Sequence, residues 1–139
     1  MRKPDIEIDI QAEPIDLTPR KPPPTSGAVV TFAGYVRSAT NEREVTGLDY
    51  EAFEEMVLAQ LGQIANVAAE KWKLDFVRIV HRTGALGVGE PSVLVQVSSA
   101  HRDEAFEGCR SIIDTLKSTA AIWKKENFSD GTSSWVNHP

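Results

Sequence analysis

Polar and apolar residues alternate through Asp5-Ile6-Glu7-Ile8-Asp9-Ile10, which is the period of a half-buried strand. Residues 28–37, rich in Val, Phe and Tyr, read as a central strand, with Gly34 marking a bulge or a close backbone approach. Residues 38–44 are polar and read as a flexible loop, and Val45 to Tyr50 as the returning strand. At Phe53 the period changes. Phe53, Met56, Val57, Leu61, Ile64, Ala65, Ala68 and Trp72 fall on one stripe of a long amphipathic helix. Leu74 to Thr83 predicts a strand, Gly84, Gly87 and Gly89 a turn region, and Pro91 to Ser99 a further strand. A second helix starts near residues 100–102 and carries Ala105, Phe106, Cys109, Ile112, Ile113 and Leu116 at helical spacing. The tail reads as two short strands around the turn Ser129-Asp130-Gly131-Thr132. Few strands, hairpin-like connections and two main helices predict an α+β fold with a mostly antiparallel sheet.

The 139 residues suit a single domain over 1–139, and the segment 18–27, with four prolines, is an extended loop within it. No apolar run has the length of a membrane span, and the charged start of the chain lacks the apolar stretch of a signal peptide. The lone Cys109 forms no internal disulfide, so the expectation is a cytoplasmic protein. A formal net charge of −5 excludes a global basic footprint for nucleic acid, so any anion must be held by a local cationic cluster.

Candidates for that cluster sit at predicted element ends. Arg37 closes a strand, His101 and Arg102 open the second helix, Lys117 lies near its end, and Lys124 and Lys125 follow. A helix N-terminus favours anions, and a guanidinium matches phosphate oxygens in a planar fork. Lysines that crowd one another repel, which depresses a pKa and leaves a usable base. The chemistry points to a phosphorylated small molecule. Against it stands the plain reading of Lys and Arg as solvated surface. His81-Arg82 reads as structural or surface, and Cys109 as a buried thiol with no partner for a metal site. Trp72, Trp123 and Trp135 read as packing residues, with Trp123 beside Lys124 a candidate pocket wall. No GxGxxG precedes a helix, so a dinucleotide loop is unsupported.

Four segments taken together resemble one family. They are residues 27–37, residues 50–56, Ser99-Ala100-His101-Arg102 with Ala105-Phe106, and Leu116-Lys117 with Ile122-Trp123-Lys124-Lys125-Glu126. Their order and spacing are similar to the large, catalytic subunit of molybdopterin synthase, over roughly residues 5–136. The resemblance implies an α/β hammerhead-type fold and a homodimer of large subunits. Each would bind a small ubiquitin-like sulfur carrier, forming a heterotetramer. The carrier's Gly-Gly end, as a thiocarboxylate, would enter a pocket, and two such sulfurs would convert cyclic pyranopterin monophosphate into the molybdopterin dithiolene. This chain ends without Gly-Gly, so the carrier is expected to be a separate polypeptide.

The resemblance also assigns residues. Lys117 is the expected general acid/base, its pKa lowered by neighbouring cations, and Lys124 the second catalytic lysine. Arg37, His101, Arg102 and Lys125 are expected to bind substrate. Phe32, Ile113 and Trp123 would line the pocket or the carrier-tail channel, with Ile113 where the family often has Met. The family's frequent basic extension past the final Trp is shortened here. No resident cofactor or metal is expected. The rival readings are a non-catalytic carrier-binding module of the same fold and a different enzyme, for phosphate-ester or acyl transfer, using the same cationic pocket.

Overall fold

Val77, Ile79, Val95 and Val97 are buried side chains on two neighbouring strands, and the fold is built outward from them. The computed structural model describes residues 3–136, so readings that touch residues 1–2 and 137–139 lie outside it. Strand β5 (Leu74–Arg82) pairs antiparallel with β7 (Pro91–Ser99), setting Ile79 opposite Val95 and Val77 opposite Val97. On the far side of β7 lies β2 (Ala28–Tyr35), antiparallel, and β1 (Asp5–Gln11) flanks β5 in parallel. The sheet order is β1-β5-β7-β2. The segment expected to be a central strand is therefore an edge strand, and it stops at Tyr35. The reason is compositional: β2 exposes Val29, Thr31 and Tyr35 in alternation, whereas β7 is buried almost throughout and takes the centre.

Helices α1 (Glu54–Trp72) and α2 (Arg102–Thr119) lie side by side on one face of this sheet. α1 buries Val57, Leu61, Ala65, Ala68 and Ala69, and its small residues let the helices and sheet approach closely. α2 uses Gly108 in the same way: a Cβ there would come within 2.8 Å of Leu74 Cδ2. Two residues assigned to the buried stripe of α1 are not on it, since Phe53 and Met56 are mostly exposed. Phe53 is the extended residue before the helix and sets its ring edge-on against Trp123, 5.2 Å away.

The opposite face of the sheet is crossed by the segment leading into β2. Ile15 and Leu17 pack on Val80 and Leu94, and the proline-rich stretch continues without strand pairing, as expected. Its anchor is a fully buried amide. Gln96 Oε1 accepts from the Arg20 backbone N–H (2.9 Å), and Gln96 Nε2 donates to the Arg20 carbonyl (2.8 Å). One side chain thus replaces the two hydrogen bonds of a strand pair.

A second sheet is built around β4 (Arg43–Ala52). β8 (Ile122–Phe128) pairs along one side of it, and β6 (Gly84–Gly87) along the other. β3 (Ala39–Thr40) folds back on the start of β4, and β9 (Ser133–Val136) forms the expected hairpin with β8. Three expectations change here. The supposed flexible loop is a tight hairpin whose turn residues Asn41 and Glu42 have φ of 50° and 66°. Val45 to Tyr50 belongs to a longer strand that begins this second sheet and pairs with β6 and β8, so it does not return along β2. The glycine-punctuated turn region contains β6, between the positive-φ residues Gly84 and Gly89.

The fold is α+β with antiparallel pairing throughout the described strands, apart from β1 with β5. Among the described residues no helix is long and apolar enough to cross a membrane. Replacing Gln96 with Leu leaves the Arg20 backbone N–H and C=O unpaired over a buried surface. The expected cost is about 1–3 kcal/mol in urea unfolding, with faster hydrogen exchange at the Arg20 amide. Unchanged stability would mean that the strap is held by its apolar contacts alone.

Candidate active site

Where α2 ends, the helix-facing row of the first sheet continues into a cavity of about 460 Å³. The last members of that row are Gly34, Val93 and His81, side by side on β2, β7 and β5. Gly34 is required by packing, because a Cβ there would come within 2.8 Å of Val93 Cγ1. The register shift between Gly34 and Tyr35 is the bulge expected at this glycine. Leu48 and Tyr50 of β4 fold over the row, and the Tyr50 ring meets His81 edge-on with centroids 5.0 Å apart. Leu116 and Lys117 from the last turns of α2, Lys124 and Glu126 from β8, and Arg37 and Thr40 from the β2–β3 region complete the wall.

Strand alternation decides which tail residues reach it. Tyr50 is paired with Lys124 and Leu48 with Glu126, so Lys124 and Glu126 share the cavity face with the buried Ile122 and Phe128. Trp123 and Lys125 point the other way. Trp123 packs on Phe53, and the Lys125 ammonium sits over the Trp135 ring, 5.7 Å from its centroid.

Of the residues singled out in the sequence, Arg37, Lys117 and Lys124 line this cavity together. His101 and Arg102 are exposed at the start of α2, roughly 22 Å along the helix from Lys117 at 1.5 Å per residue. Ile113 is buried in the core one turn before Lys117, and Phe32 is half-buried against the same core, two residues before Gly34 on β2. Neither lines the cavity, nor do Lys125 and Trp123.

The cavity sets the cations Arg37, Lys117 and Lys124 beside the buried carboxyl group of Glu126, with the imidazole of His81 beneath them. Partial burial of Lys124 holds its ammonium below the usual lysine value, because the charged form loses hydration. Glu126 pulls the other way, while Arg37 and Lys117 push it down further. Glu126 is itself buried and accepts a hydrogen bond from Thr40 Oγ1 at 2.6 Å. Burial lowers His81 to about 4, opposed by its Nδ1 contact to the Arg82 carbonyl at 2.7 Å. Burial also raises the Tyr50 phenol; a hydrogen bond with Ser92 opposes this and Glu126 adds to it. An anion is drawn to Arg37 and the two lysines, and a half-buried amine next to them exchanges its proton more readily than a solvated lysine. Among the described residues no group of three or more His, Cys, Asp or Glu side chains could hold a metal ion.

The sequence profile of the MoaE protein family matches residues 7–119. The chain belongs to the MoaE family. The molybdopterin synthase catalytic subunit of Thermoplasma volcanium is 43% identical over 122 residues, covering 88% of this chain and 89% of that protein. That of Nostoc sp. is 48% identical over 113 residues, covering 81% and 68%. The crystal structure of molybdopterin synthase from Staphylococcus aureus superposes with a TM-score of 0.81 at 36% identity, over 99% of both chains. A Helicobacter pylori chain shares the fold at 20% identity, with a TM-score of 0.69 over 96% of this chain and 93% of that one. It comes from a complex of subunits 1 and 2 of molybdopterin-converting factor.

In this MoaE chain the pair His81-Arg82 divides. Arg82 is structural: it donates to Glu90 Oε1 at 2.8 Å and to the Ala12 carbonyl at 2.6 Å. His81 is a cavity residue, as are Tyr50, Thr40 and Glu126, none of which was singled out in the sequence. Glu126 was readable in principle, since it stands two residues after Lys124 on a strand. Tyr50 and His81 meet only because the two sheets fold together.

His81 also predicts the acid behaviour of the MoaE fold. Its folded pKa of about 4 lies below the ordinary histidine value of 6.5, so the unfolded chain takes up the proton first. The stability tied to the neutral ring is complete above pH 6.5 and is lost as pH falls toward 4. At about 1.4 kcal/mol per unit the loss approaches roughly 3 kcal/mol. Denaturant titrations across this range should show it in the native chain and not in His81→Phe. An equal decline in both would place the acid sensitivity elsewhere.

Proposed function

We propose that this chain is the catalytic subunit of a molybdopterin synthase and that the Arg37–Lys117–Lys124 cavity is where sulfur reaches the pterin. Its relatives are sulfur-transferring enzymes of molybdenum cofactor biosynthesis. The observation that carries the site is the convergence of these three cations, from the β2–β3 connection, α2 and β8, on one cavity. The sulfur donor is the thiocarboxylated Gly-Gly end of a separate small ubiquitin-like subunit, and the substrate is cyclic pyranopterin monophosphate. Arg37 engages the phosphate through its planar fork. Lys117 serves as general acid/base as the thiocarboxylate attacks, and Lys124 stabilises the charge that develops, its half-burial strengthening the field it exerts there. No resident cofactor or metal takes part in this reading.

The same geometry supports the reading of the partners. His101 and Arg102 stand too far along α2 to reach their own chain's cavity. A second large subunit would bring such a pair to it, which fits a homodimer carrying two small subunits. The Helicobacter pylori neighbour, solved with its companion subunit, supports the pairing with a small partner. The net charge of −5 is consistent with a protein that handles neither nucleic acid nor an anionic membrane surface, and the lone, buried Cys109 fits a place in the cytoplasm.

The test mixes the purified chain with thiocarboxylated carrier and cyclic pyranopterin monophosphate and assays molybdopterin. Product is expected, abolished in Lys117→Ala and reduced about 10²–10³-fold in Lys124→Ala, with both variants folded. Near-normal turnover in Lys117→Ala would overturn the assignment of the acid/base. A stable carrier complex that never yields product would identify a docking module instead.

A further inference from the structure

The row Val77, Ile79, His81 runs along the helix-facing side of β5, paired with Val97, Val95 and Val93 of β7. Its first two members are fully buried hydrocarbon. The third is an imidazole, 2% exposed, on a strand where another Val or Ile would fill the position without any polar cost. The Arg82 carbonyl can only accept, so the short Nδ1 contact fixes the hydrogen on Nδ1. In the neutral ring Nε2 then carries a lone pair. Among the described residues the imidazole makes hydrogen bonds through Nδ1 alone, and the residue lines the cavity. The edge-on Tyr50 ring and the Arg82 carbonyl hold its plane from two sides.

We propose that His81 is a specificity-determining residue, whose fixed, unprotonated Nε2 on the cavity floor accepts a hydrogen bond from an N–H of the pterin ring. The inference rests on the reading of the cavity as the pterin site and adds the group that reads the end of the substrate away from its phosphate. A pterin has a row of ring N–H and amino donors, and a buried acceptor of fixed direction selects them over an analogue that lacks them. Burial keeps the ring neutral near pH 7, where an imidazolium would instead offer a donor and repel the cations around it. The wall cations serve the anionic end of the same molecule, so the two ends of the cavity impose one orientation on the substrate.

The experiment measures equilibrium binding of cyclic pyranopterin monophosphate and of the small carrier to the native chain and to His81→Phe. That substitution keeps an aromatic ring beside Tyr50 and removes the acceptor. The dissociation constant for the pterin is expected to rise about tenfold, with carrier affinity unchanged and the rate effect falling on KM more than on kcat. Ring-¹⁵N spectra of the native chain supply a readout that does not depend on the variant folding. They should show a neutral Nδ1–H tautomer whose Nε2 signal moves when the pterin is added and stays put when the carrier is added. Equal pterin affinity in His81→Phe, an Nε2–H tautomer, or an Nε2 signal indifferent to the pterin would each overturn the proposal while leaving the function intact. Absence of pterin binding by the native chain would overturn the functional reading and this inference with it.

Discussion

The register that sets His81 opposite Val93 is the constraint from which the rest of the molecule follows. Side chains alternate along a strand, so this one pairing sends Val77, Ile79 and His81 to the helix face and Arg78, Val80 and Arg82 to the strap face. A slip of one residue would put two guanidinium groups under the helices and strand the valines on the strap. Both faces resist it independently. On one, the helices close over Ile79 and Val95; on the other, Val80 takes Ile15, Arg82 takes Glu90 and the Ala12 carbonyl, and Gln96 takes the Arg20 backbone. The cavity floor therefore inherits the rigidity of the core, because it is the end of the same row.

A second requirement is to keep polar groups at that floor without disrupting the packing around them. Each buried one has a fixed partner: Glu126 has Thr40, His81 has the Arg82 carbonyl, and Ser92 donates to the Gly34 carbonyl. Such groups are held in direction before any substrate arrives, which is what electrostatic preorganisation needs. The exposed cations Arg37 and Lys117 are long side chains free to adjust, and Lys124 stands between the two kinds, half-buried and drawn toward Glu126. The floor is thus packed and directional, and the rim exposed and charged.

Much of this was legible in the chain because it depends on local period. The strands β1, β5 and β7, the stripe of α2 apart from Phe106, which the structure leaves exposed, the Ser129–Thr132 turn and the bulge at Gly34 all follow from spacing and turn chemistry. The errors have one origin, which is that spacing does not say what an element packs against. β2 looked central because it is rich in Val, Phe and Tyr, but only pairing order makes a strand central. Phe53 and Met56 looked like core because they fit the stripe of α1, yet that helix starts just after Phe53 and its first buried residue is Val57. For the site, Lys117 and Lys124 could be picked out and Lys125 could not be excluded until β8 was known to be a strand with Lys124 facing in. His81 was hidden by its neighbour: a His-Arg pair at a strand end reads as surface, and only the fold shows the two side chains on opposite faces.

The division of the cavity has a consequence for proton traffic. Lys124 is held below the ordinary lysine range first by lost hydration and then by Arg37 and Lys117, against the pull of Glu126. A phosphate or thiocarboxylate entering among these cations neutralises the repulsive part and strengthens the attractive one, which draws a proton onto Lys124 as the anion binds. Departure of the anion reverses the change. On the proposed reading, the amine would be charged when negative charge must be stabilised and would release its proton more readily when the cavity empties. Linkage makes the coupling reciprocal, so anion affinity falls as pH rises through the range where Lys124 loses its proton. His81, largely buried on the cavity floor and low in basicity, stays neutral through that range and, on the proposal above, keeps the floor's acceptor in place while the rim changes charge.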